Sequence, residues 1–503
     1  MEFAMMGHES DFQLKLFYHG FNLDQRVPHN HILRKLERQI DFDFVYGQVK
    51  DLYGDKGNVS VPPPVILKMM LLLILYNVRS ERELMNTIPL RLDWLWFLGY
   101  DLDSEIPNHS VLSKARSRWG VDAFQTFFER VVRQCMEAGL VDGTKLFMDS
   151  SLVEADASNN SVVNRESLKR YLNTGYCELE ARLDEQETSS DNDNQSKSGI
   201  ANRKYISTTD PDASVVRQGK GHSKLRYKVH RAVEGKNEII TATEVTSGEV
   251  NEAHRLTFLI ETHQHTTGQA VQTVVGDSKY GIVENYLCCH DRGVKAHIPD
   301  LKKKQENKGL RKGIFPEEAF RYDSGTDTYR CPAGHVLTRR RHKKKRKAVE
   351  YACSLSTCKQ CHIRSQCTTS KTARSVKRHL RQQDLDLMRK TAETKESRRD
   401  IQTRQHLMER SFARATRYGF KRARWRRLWR VQIQEYLTSA IQNLMILLRH
   451  VKEPAAPALG QTTDKWAWPR GSSGLHRLYS YFKRAIIRDS QFHFTLEYFE
   501  ART

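Results

Sequence analysis

Helical spacing of apolar positions dominates the first 140 residues of the chain. The apolar run "VILKMMLLLILY" follows three prolines, which favour the first turn of a helix and disfavour its interior. "SERE" at residues 80–83 has the pattern of a capping box, and "PNHSVLSKARSRWG" offers Asn108 or Ser110 as the cap of a short basic helix ending near Gly120. We expect an all-helical domain over residues 1–140, which either binds DNA through a basic face or serves packing alone.

Strand periodicity begins at Lys145 with "KLFMDSSLVEA". The helical pattern "VVNRESLKRYLNTGYCELEARLDE" follows, and the polar residues 184–203 predict a mobile linker. Two alternating runs separated by "GKN" predict a hairpin over residues 226–246, after which helix, strand, helix and strand alternate. This order predicts an α/β fold over residues 141–301, a ribonuclease H-like mixed sheet flanked by helices, in which the first and fourth strands are neighbours.

The pattern breaks after residue 301. Residues 302–400 hold most of the cysteines, the basic run "TRRRHKKKRKA" and few long apolar runs, so we interpret them as a small, β-rich insertion. A long helical stretch begins near Asp400 and returns the chain to the core of the α/β fold, as its C-terminal helices, over residues 401–452. Residues 453–503 start rich in Pro, Gly and Ser and are expected to form a loosely held tail.

Charge narrows the range of partners. The chain of 503 residues has a net charge of +22 and a pI near 9.5, which indicates a polyanionic partner, most simply nucleic acid. Its most apolar run is too short to cross a bilayer and contains Lys68, and no secretory signal is recognisable. We expect a soluble, cytoplasmic protein that binds DNA and no membrane.

Two aspartates have the positions of metal ligands. Asp149 ends the first predicted strand and Asp277, in "VVGDSKYG", ends the fourth. Phosphodiester cleavage and strand transfer use two divalent ions about 3.5–4 Å apart, held by hard oxygen ligands. A single aspartate at a strand end more often serves a turn or a helix cap. It is the presence of two aspartates at the ends of neighbouring strands that indicates a metal site.

A third acid is expected from the helical stretch after the insertion. Glu409 is the best candidate, because residues 410–430 contain nine Lys or Arg and no acid, which suits a place where metal and phosphate meet. Glu396 and Glu435 are weaker candidates, and a basic helix is often only a solvated face. Glu154 and Asp156 remain alternative ligands near Asp149, whereas Asp210 and Asp212 are expected to serve the turn around Pro211.

The wording and order of several motifs resemble bacterial insertion-sequence transposases of the DDE type. The closest group, numbered eleven-eighty-two among insertion sequences, has an N-terminal helical transposase domain and a cysteine-bearing insertion. The motifs include "PNHSVLSKARSRW", "FMDSSLVEADAS", "VVGDSKYG", "CKQCHIRSQC" and "ERSFARATRYGFKRARWRRL".

The resemblance implies a catalytic triad of Asp149, Asp277 and Glu409 that binds two Mg²⁺ or Mn²⁺ ions. It also implies cleavage at terminal inverted repeats, joining of the freed 3′-hydroxyls to target DNA, a homo-oligomer on DNA and association with the nucleoid. The alternatives are a ribonuclease H-like nuclease that cuts without joining, and a non-catalytic DNA-binding regulator derived from a transposase.

The surroundings of Glu409 depart from related families. Those families place a Tyr, an Arg and a Lys at fixed distances from the glutamate, where this chain has Gln402, Gln405 and Thr416. Arg404 and Arg417 each lie one residue away. The DNA-end contacts attributed to that motif are therefore not carried over.

The insertion offers a candidate zinc site and basic residues for DNA. Cys358 and Cys361 form a CxxC pair, and Cys331 and Cys367 complete the preferred four ligands of one structural Zn²⁺, with Cys353 and His335 in reserve. The alternative is a group of reduced cysteines without metal. Basic side chains here and after Glu409 are predicted to contact the DNA backbone: Arg339, Arg340, Lys344, Arg410, Arg414, Arg417, Lys421 and Arg424.

Overall fold

A computed structural model of the protein describes residues 22–54, 59–165, 202–219, 221–301 and 313–450. Contacts assign Met1–Val451 to one unit. The predicted tail, residues 453–503, lies outside the described residues, as does the predicted linker up to residue 201. No helix in the described ranges is long and apolar enough to cross a membrane.

The N-terminal part is helical throughout its described residues, as predicted. Helix α4 begins on prolines and is buried on almost every side. Ser80 accepts a hydrogen bond from the N–H of Glu83 at 3.2 Å, which confirms the predicted cap there. The N-cap of the later basic helix is His109 and neither Asn108 nor Ser110, although Asn108 accepts a hydrogen bond from the N–H of Ser110 at 2.9 Å. The helices are α1 Leu23–Arg26, α2 Ile32–Gln39, α3 Phe44–Val49, α4 Pro63–Leu75, α5 Glu81–Thr87, α6 Leu92–Leu98, α7 Ser110–Trp119 and α8 Asp122–Glu137.

A mixed sheet of six strands follows, of which five have the predicted order and one, Ser214–Arg217, was not predicted. The long strand β5 pairs antiparallel with β1, β4 and β6, whereas β7 pairs parallel with β1 and β8 parallel with β7. The strands are β1 Lys145–Glu154, β4 Ser214–Arg217, β5 Ser223–Glu234, β6 Ile240–Ser247, β7 Thr273–Val275 and β8 Lys295–His297. Helices α9 Leu256–Thr267 and α10 Val283–Asp291 pack their apolar sides on this sheet.

Two details of this region differ from the sequence-based expectation. Strand β1 does not end at Asp149 but continues to Glu154, because β5 pairs with it over nine positions. The helix expected from residue 162 is replaced at its start by the strand β2 Val162–Asn164, which pairs with β3 Tyr205–Ser207 in a separate two-stranded sheet. The rest of that expected helix lies outside the described residues.

A second sheet of five antiparallel strands occupies residues 321–379. Its strand order is β13-β12-β11-β10-β9, and it has its own small core around Tyr329, Leu337 and Tyr351. The elements are β9 Arg321–Asp323, β10 Thr328–Arg330, β11 Val336–Lys343, β12 Ala348–Ala352, α11 Leu355–Lys359, α12 Arg364–Cys367 and β13 Ser375–His379.

Three helices complete the described chain: α13 Gln382–Ala392, α14 Lys395–Thr416 and α15 Leu428–His450. The long helical stretch of the prediction is therefore two helices, which are separated by an irregular segment over residues 417–427. Helix α15 is almost fully buried and joins the N-terminal helices and the mixed sheet into a continuous apolar core. Its Asn443 side chain bonds both the N–H and the carbonyl of Ile240, and Gln432 bonds the N–H of Val245, so α15 satisfies the outer edge of β6.

Candidate active site

Asp149 lies in the middle of β1 and faces helix α14. Its Oδ2 atom is 2.8 Å from Nη1 of Arg404, and its Oδ1 atom accepts a hydrogen bond of 2.8 Å from the N–H of Ser150. Arg404 also donates to the carbonyl of Met148 at 3.4 Å. Burial raises the pKa of Asp149, Arg404 acts against that rise, and the negative charge of Asp277 adds to it. The carboxylate is a partly desolvated group with one close counter-cation.

Asp277 lies two residues after the end of β7, and β7 is the strand next to β1. Because the two strands are parallel, the carboxylates of Asp149 and Asp277 both come after the paired segments, at the same edge of the sheet. Oδ1 of Asp277 accepts a hydrogen bond of 3.0 Å from the N–H of Lys279, which caps a single 3-10 turn. The predicted adjacency of the two strands is confirmed, and the two carboxylates are close enough to interact electrostatically.

Glu409 lies inside α14, which begins at Lys395, five residues before the expected start near Asp400. Its side chain is exposed and accepts a hydrogen bond of 3.3 Å from Nε2 of Gln405. Glu409 comes five positions after Arg404. In an α-helix this spacing rotates a side chain by one full turn and about 140° more. Glu409 therefore leaves α14 on a different side from Arg404. No contact in the described ranges joins it to either aspartate.

The alternative ligands Glu154 and Asp156 lie further along the chain, beyond the site. Glu154 pairs with Lys224 at 2.6 Å, and Asp156 pairs with Arg422 at 2.9 Å. Glu154 lies five residues beyond Asp149 on an extended strand, which corresponds to roughly 16 Å. Both acids therefore fasten β1 to β5 and to the segment after α14.

Asp210 and Asp212 hold the start of α15. Asp210 accepts hydrogen bonds from the hydroxyl of Tyr227 at 2.6 Å and from the N–H of Arg427 at 3.0 Å, and Asp212 accepts one from the N–H of Leu428 at 2.9 Å. Both residues lie beside Pro211 as expected, but their carboxylates satisfy backbone donors at the N-terminus of a buried helix.

Glu435, a weaker candidate for the third acid, is fully buried behind the site. Its carboxylate forms two hydrogen bonds with Arg231, at 2.6 and 3.0 Å, and Arg231 lies opposite Asp149 in the strand register. Glu396, the other weaker candidate, is exposed and lies 3.7 Å from Lys145. Lys145 is held more closely by Asp400, which also bonds Nδ1 of His297 at 2.6 Å.

A buried acid that sequence reasoning did not single out lies next to the aspartates. Glu252 precedes α9 and contacts Lys228 at 3.1 Å, Lys279 at 2.5 Å and the hydroxyl of Ser150 at 3.1 Å. Burial alone would raise the pKa of Glu252, but the bonds and charges of the two lysines outweigh it and lower the pKa to about 2. No local sequence pattern indicates this cluster, because its residues come from separate elements that meet only in the folded protein.

The predicted DNA-binding residues after Glu409 fall into three groups. Arg410 and Arg414 pair with Glu238, the latter at 2.7 Å, whereas Arg417 and Lys421 are exposed in the described structure. Arg424 bonds the carbonyl of Val78 and the side chain of Asn77, and burial lowers its pKa. In this structure, Arg424 ties the segment after α14 to the N-terminal helices.

The predicted basic residues of the second sheet lie on an exposed hairpin. Arg339 and Arg340 belong to β11, and Lys344 begins the turn that leads into β12. His342, Lys343, Lys344, Lys345, Arg346 and Lys377 line an open groove beside this turn. Burial and the neighbouring charges of Lys343 and Arg346 lower the pKa of Lys377. Like charges at such close range suit an anionic partner.

Five cysteines converge on one mostly apolar cavity in the second sheet. Its lining includes His335 and the cysteines Cys331, Cys353, Cys358, Cys361 and Cys367. Burial raises the pKa of Cys358 and Cys367, and the cysteines influence one another's charge. Across the described ranges, however, no three His, Cys, Asp or Glu side chains adopt the arrangement of a metal site. The cysteines are thus gathered around one cavity but are not arranged as zinc ligands.

Fold and site together define a class of protein: a mixed α/β protein with paired carboxylates at one sheet edge and basic surfaces, a combination suited to chemistry on phosphodiesters. Residues 21–118 match the family described as Transposase domain (DUF772), and residues 330–448 match the family described as Transposase DDE domain. The two matches together support an insertion-sequence transposase of the DDE type. No curated protein matches the chain.

The family carries three general properties. A DDE domain implies a ribonuclease H-like fold, transposases act on DNA, and DDE domains generally use divalent metal ions. The match to the DDE domain includes Glu409 and the cysteines, whereas Asp149 and Asp277 lie outside both matched stretches. The narrower group, number eleven-eighty-two, stays a prediction.

Proposed function

We propose that this transposase cleaves the ends of its insertion sequence and joins them to target DNA at a site built on Asp149 and Asp277. The observation that carries the proposal is the pair of carboxylates on adjacent parallel strands, in a sheet of ribonuclease H-like strand order. A cutting and joining enzyme needs carboxylates that converge from separate strands, and a purely DNA-binding protein has no use for them.

The donor set of the site fits a divalent cation. Asp149 and Asp277 supply hard carboxylate oxygens, and a cation between them would relieve the repulsion that helps to raise the pKa of Asp149. When bound, two Mg²⁺ or Mn²⁺ ions would activate the attacking hydroxyl and stabilise the leaving oxygen. The protein's own contribution is to hold both carboxylates just beyond the paired segments of two neighbouring strands.

Glu409 remains our proposed third acid. Its position on α14, the helix that lies against Asp149 through Arg404, supports the assignment. The side chain is exposed on another side of the helix, so it reaches the aspartates only if α14 turns or shifts. We propose that DNA and metal binding bring about this change, which would also separate Arg404 from Asp149.

Three further assignments belong to the same proposal. The N-terminal helices bind DNA, the exposed hairpin and the basic residues after Glu409 contact the phosphates of the terminal repeats and the target, and the active form is a homo-oligomer. The domain boundaries follow those expected from the sequence: 1–140, 141–301, 302–400, 401–452 and 453–503. The cytoplasmic location and association with the nucleoid follow from a DNA substrate.

We also propose one structural Zn²⁺ in the cysteine cluster. The gathering of five cysteines around one cavity favours it, because thiolates are the preferred ligands of structural zinc. Elemental analysis of the purified protein tests it directly: about one zinc per chain supports the ion, and none contradicts it. Replacing Cys358 with Ser should remove the zinc if it is present.

The reaction assay that tests the function uses Mg²⁺, a duplex carrying the DNA that flanks the reading frame, and a target plasmid. Joined products support the transposase. Nicks without joining support a nuclease, and binding without cleavage supports a regulator. Each outcome selects one of the three functions.

A further inference from the structure

The structure assigns a phosphate-binding role to Lys279, with Glu252 as the residue that positions it. This inference rests on the proposed function and adds a substrate contact to it: Lys279 binds a phosphate of the DNA strand that enters the aspartate site.

Lys279 lies beside the aspartate site. It lies two residues after Asp277, and its N–H is held by the Asp277 carboxylate at 3.0 Å. Its ammonium group is 2.5 Å from Oε1 of Glu252, and its side chain is 65% exposed. The ion pair with Glu252 therefore holds this ammonium group at the open side of the site.

Burial distinguishes the other members of the cluster from Lys279. The side chains of Glu252 and Lys228 are only 6% and 13% exposed. Glu252 accepts a hydrogen bond from Ser150, the residue after Asp149, and Lys228 donates to the carbonyl of Val250 at 2.6 Å. Glu252 is therefore anchored to β1 and β5, and it holds Lys279 in a defined place.

Charge balance gives the reason for a second lysine. A buried carboxylate that served only to anchor Lys279 would need one partner, but Glu252 has two. Lys228 neutralises Glu252 inside the protein, which leaves the charge of Lys279 available to an anion without breaking the anchor. A DNA phosphate is the anion that the proposed function brings to this place.

The test compares full-length variants by their affinity for the flanking-DNA duplex over a range of salt concentrations. Each phosphate contact contributes about 0.9 to the slope of log affinity against log salt, so Lys279→Ala should lower that slope by about 0.9. Lys279→Arg should keep the wild-type slope, because it keeps the charge. Lys295→Ala is the matched control: Lys295 is an exposed lysine at the opposite, N-terminal edge of β8 and should leave the slope unchanged.

The role of Glu252 is tested with Glu252→Gln, measured for both end cleavage and salt slope. Loss of the anchor should raise the KM for the duplex several-fold, and the slope should fall as it does in Lys279→Ala. Normal salt slopes in Lys279→Ala would overturn the inference even if the enzyme cleaves and joins DNA. A lowered slope in an enzyme that cuts no DNA would support the phosphate contact and contradict the transposase function, so the two failures can be told apart.

Discussion

At the scale of single residues, several buried or partly buried charged side chains lie around the middle of β1. Asp149 faces Arg404 on one side of the sheet, and Ser150 contacts Glu252 on the other. Arg231, opposite Asp149 in register, is held by Glu435 in the core. Alternation along a strand sends neighbouring side chains to opposite faces, so one strand organises both sets of contacts.

Arg404 should compete with metal ions for Asp149. In Arg404→Gln the counter-cation is gone, and we expect the affinity for Mn²⁺ to rise several-fold, as measured by titration calorimetry. Arg398→Gln, an exposed arginine on the same helix, is the control and should leave the affinity unchanged. Weaker Mn²⁺ binding in Arg404→Gln, with normal thermal unfolding, would mean that Arg404 helps to build the metal site.

His263 should make stability depend on pH. Its ring bonds Thr241 at 2.7 Å and the carbonyl of Gly143 at 3.1 Å, and burial lowers its pKa to about 4. Because the unfolded pKa is about 6.5, the neutral ring's contribution is complete above pH 6.5 and is lost as the pH falls towards 4. The slope is about 1.4 kcal/mol per pH unit for one proton.

Urea unfolding at several pH values between 4 and 7 measures this effect. The free energy of unfolding of His263→Gln should fall less steeply with decreasing pH than that of the wild type. Parallel profiles for the two proteins would rule out His263 as the group responsible.

At the scale of elements, helix α15 is the centre of the molecule. It combines apolar residues that pack on the N-terminal helices with amides that pair with the β6 edge. A buried strand edge without partners would leave backbone groups unsatisfied, which is costly. The amides explain how an edge strand can lie inside the core.

Asn443→Leu removes two hydrogen bonds to Ile240 at once. We expect the free energy of unfolding to fall by about 2–4 kcal/mol, since each unsatisfied buried backbone group costs about 1–3 kcal/mol. Chemical denaturation measures the change. Arg449→Ala, at the exposed end of the same helix, should change stability by less than about 0.5 kcal/mol. Equal stability of the two variants would disprove the edge-pairing role.

How far the sequence predicts this fold depends on the kind of pattern. Alternation and turn residues predicted the strand order of the mixed sheet, and hence the adjacency of Asp149 and Asp277, because these signals are local. The side of α14 that carries Glu409 could not be predicted, since it depends on which face of the helix packs against the mixed sheet. Glu252 was missed because Lys228 and Lys279 meet it only through tertiary packing.

At the scale of the whole molecule, the basic residues behind the net charge of +22 serve two different purposes. Several arginines are used inside the structure, such as Arg231 with Glu435 and Arg424 with Asn77. The hairpin between β11 and β12, in contrast, presents its cations in an open groove. The hairpin is therefore the better candidate for backbone contacts that add affinity without sequence preference.

Lys344→Gln combined with Arg346→Gln should weaken DNA binding for all sequences alike. The slope of log affinity against log salt should fall by up to about 1.8, for two lost phosphate contacts. The matched control is Arg321→Gln with Arg330→Gln, two exposed arginines that lie opposite each other in the same sheet, on strands β9 and β10. If both double variants lose the same affinity, general charge and not the hairpin governs binding.

The role of Asp149 and Asp277 in DNA cleavage is tested most directly by the rates at which Asp149→Asn and Asp277→Asn cut the flanking-DNA duplex in Mg²⁺. DNA affinity is measured on the same preparations. Both substitutions keep the size of the side chain and remove its charge. We predict that each lowers the cleavage rate by on the order of 10³-fold or more and leaves DNA affinity within a few-fold of the wild type. Cleavage by either variant at a rate near that of the wild type would contradict the assignment of this site.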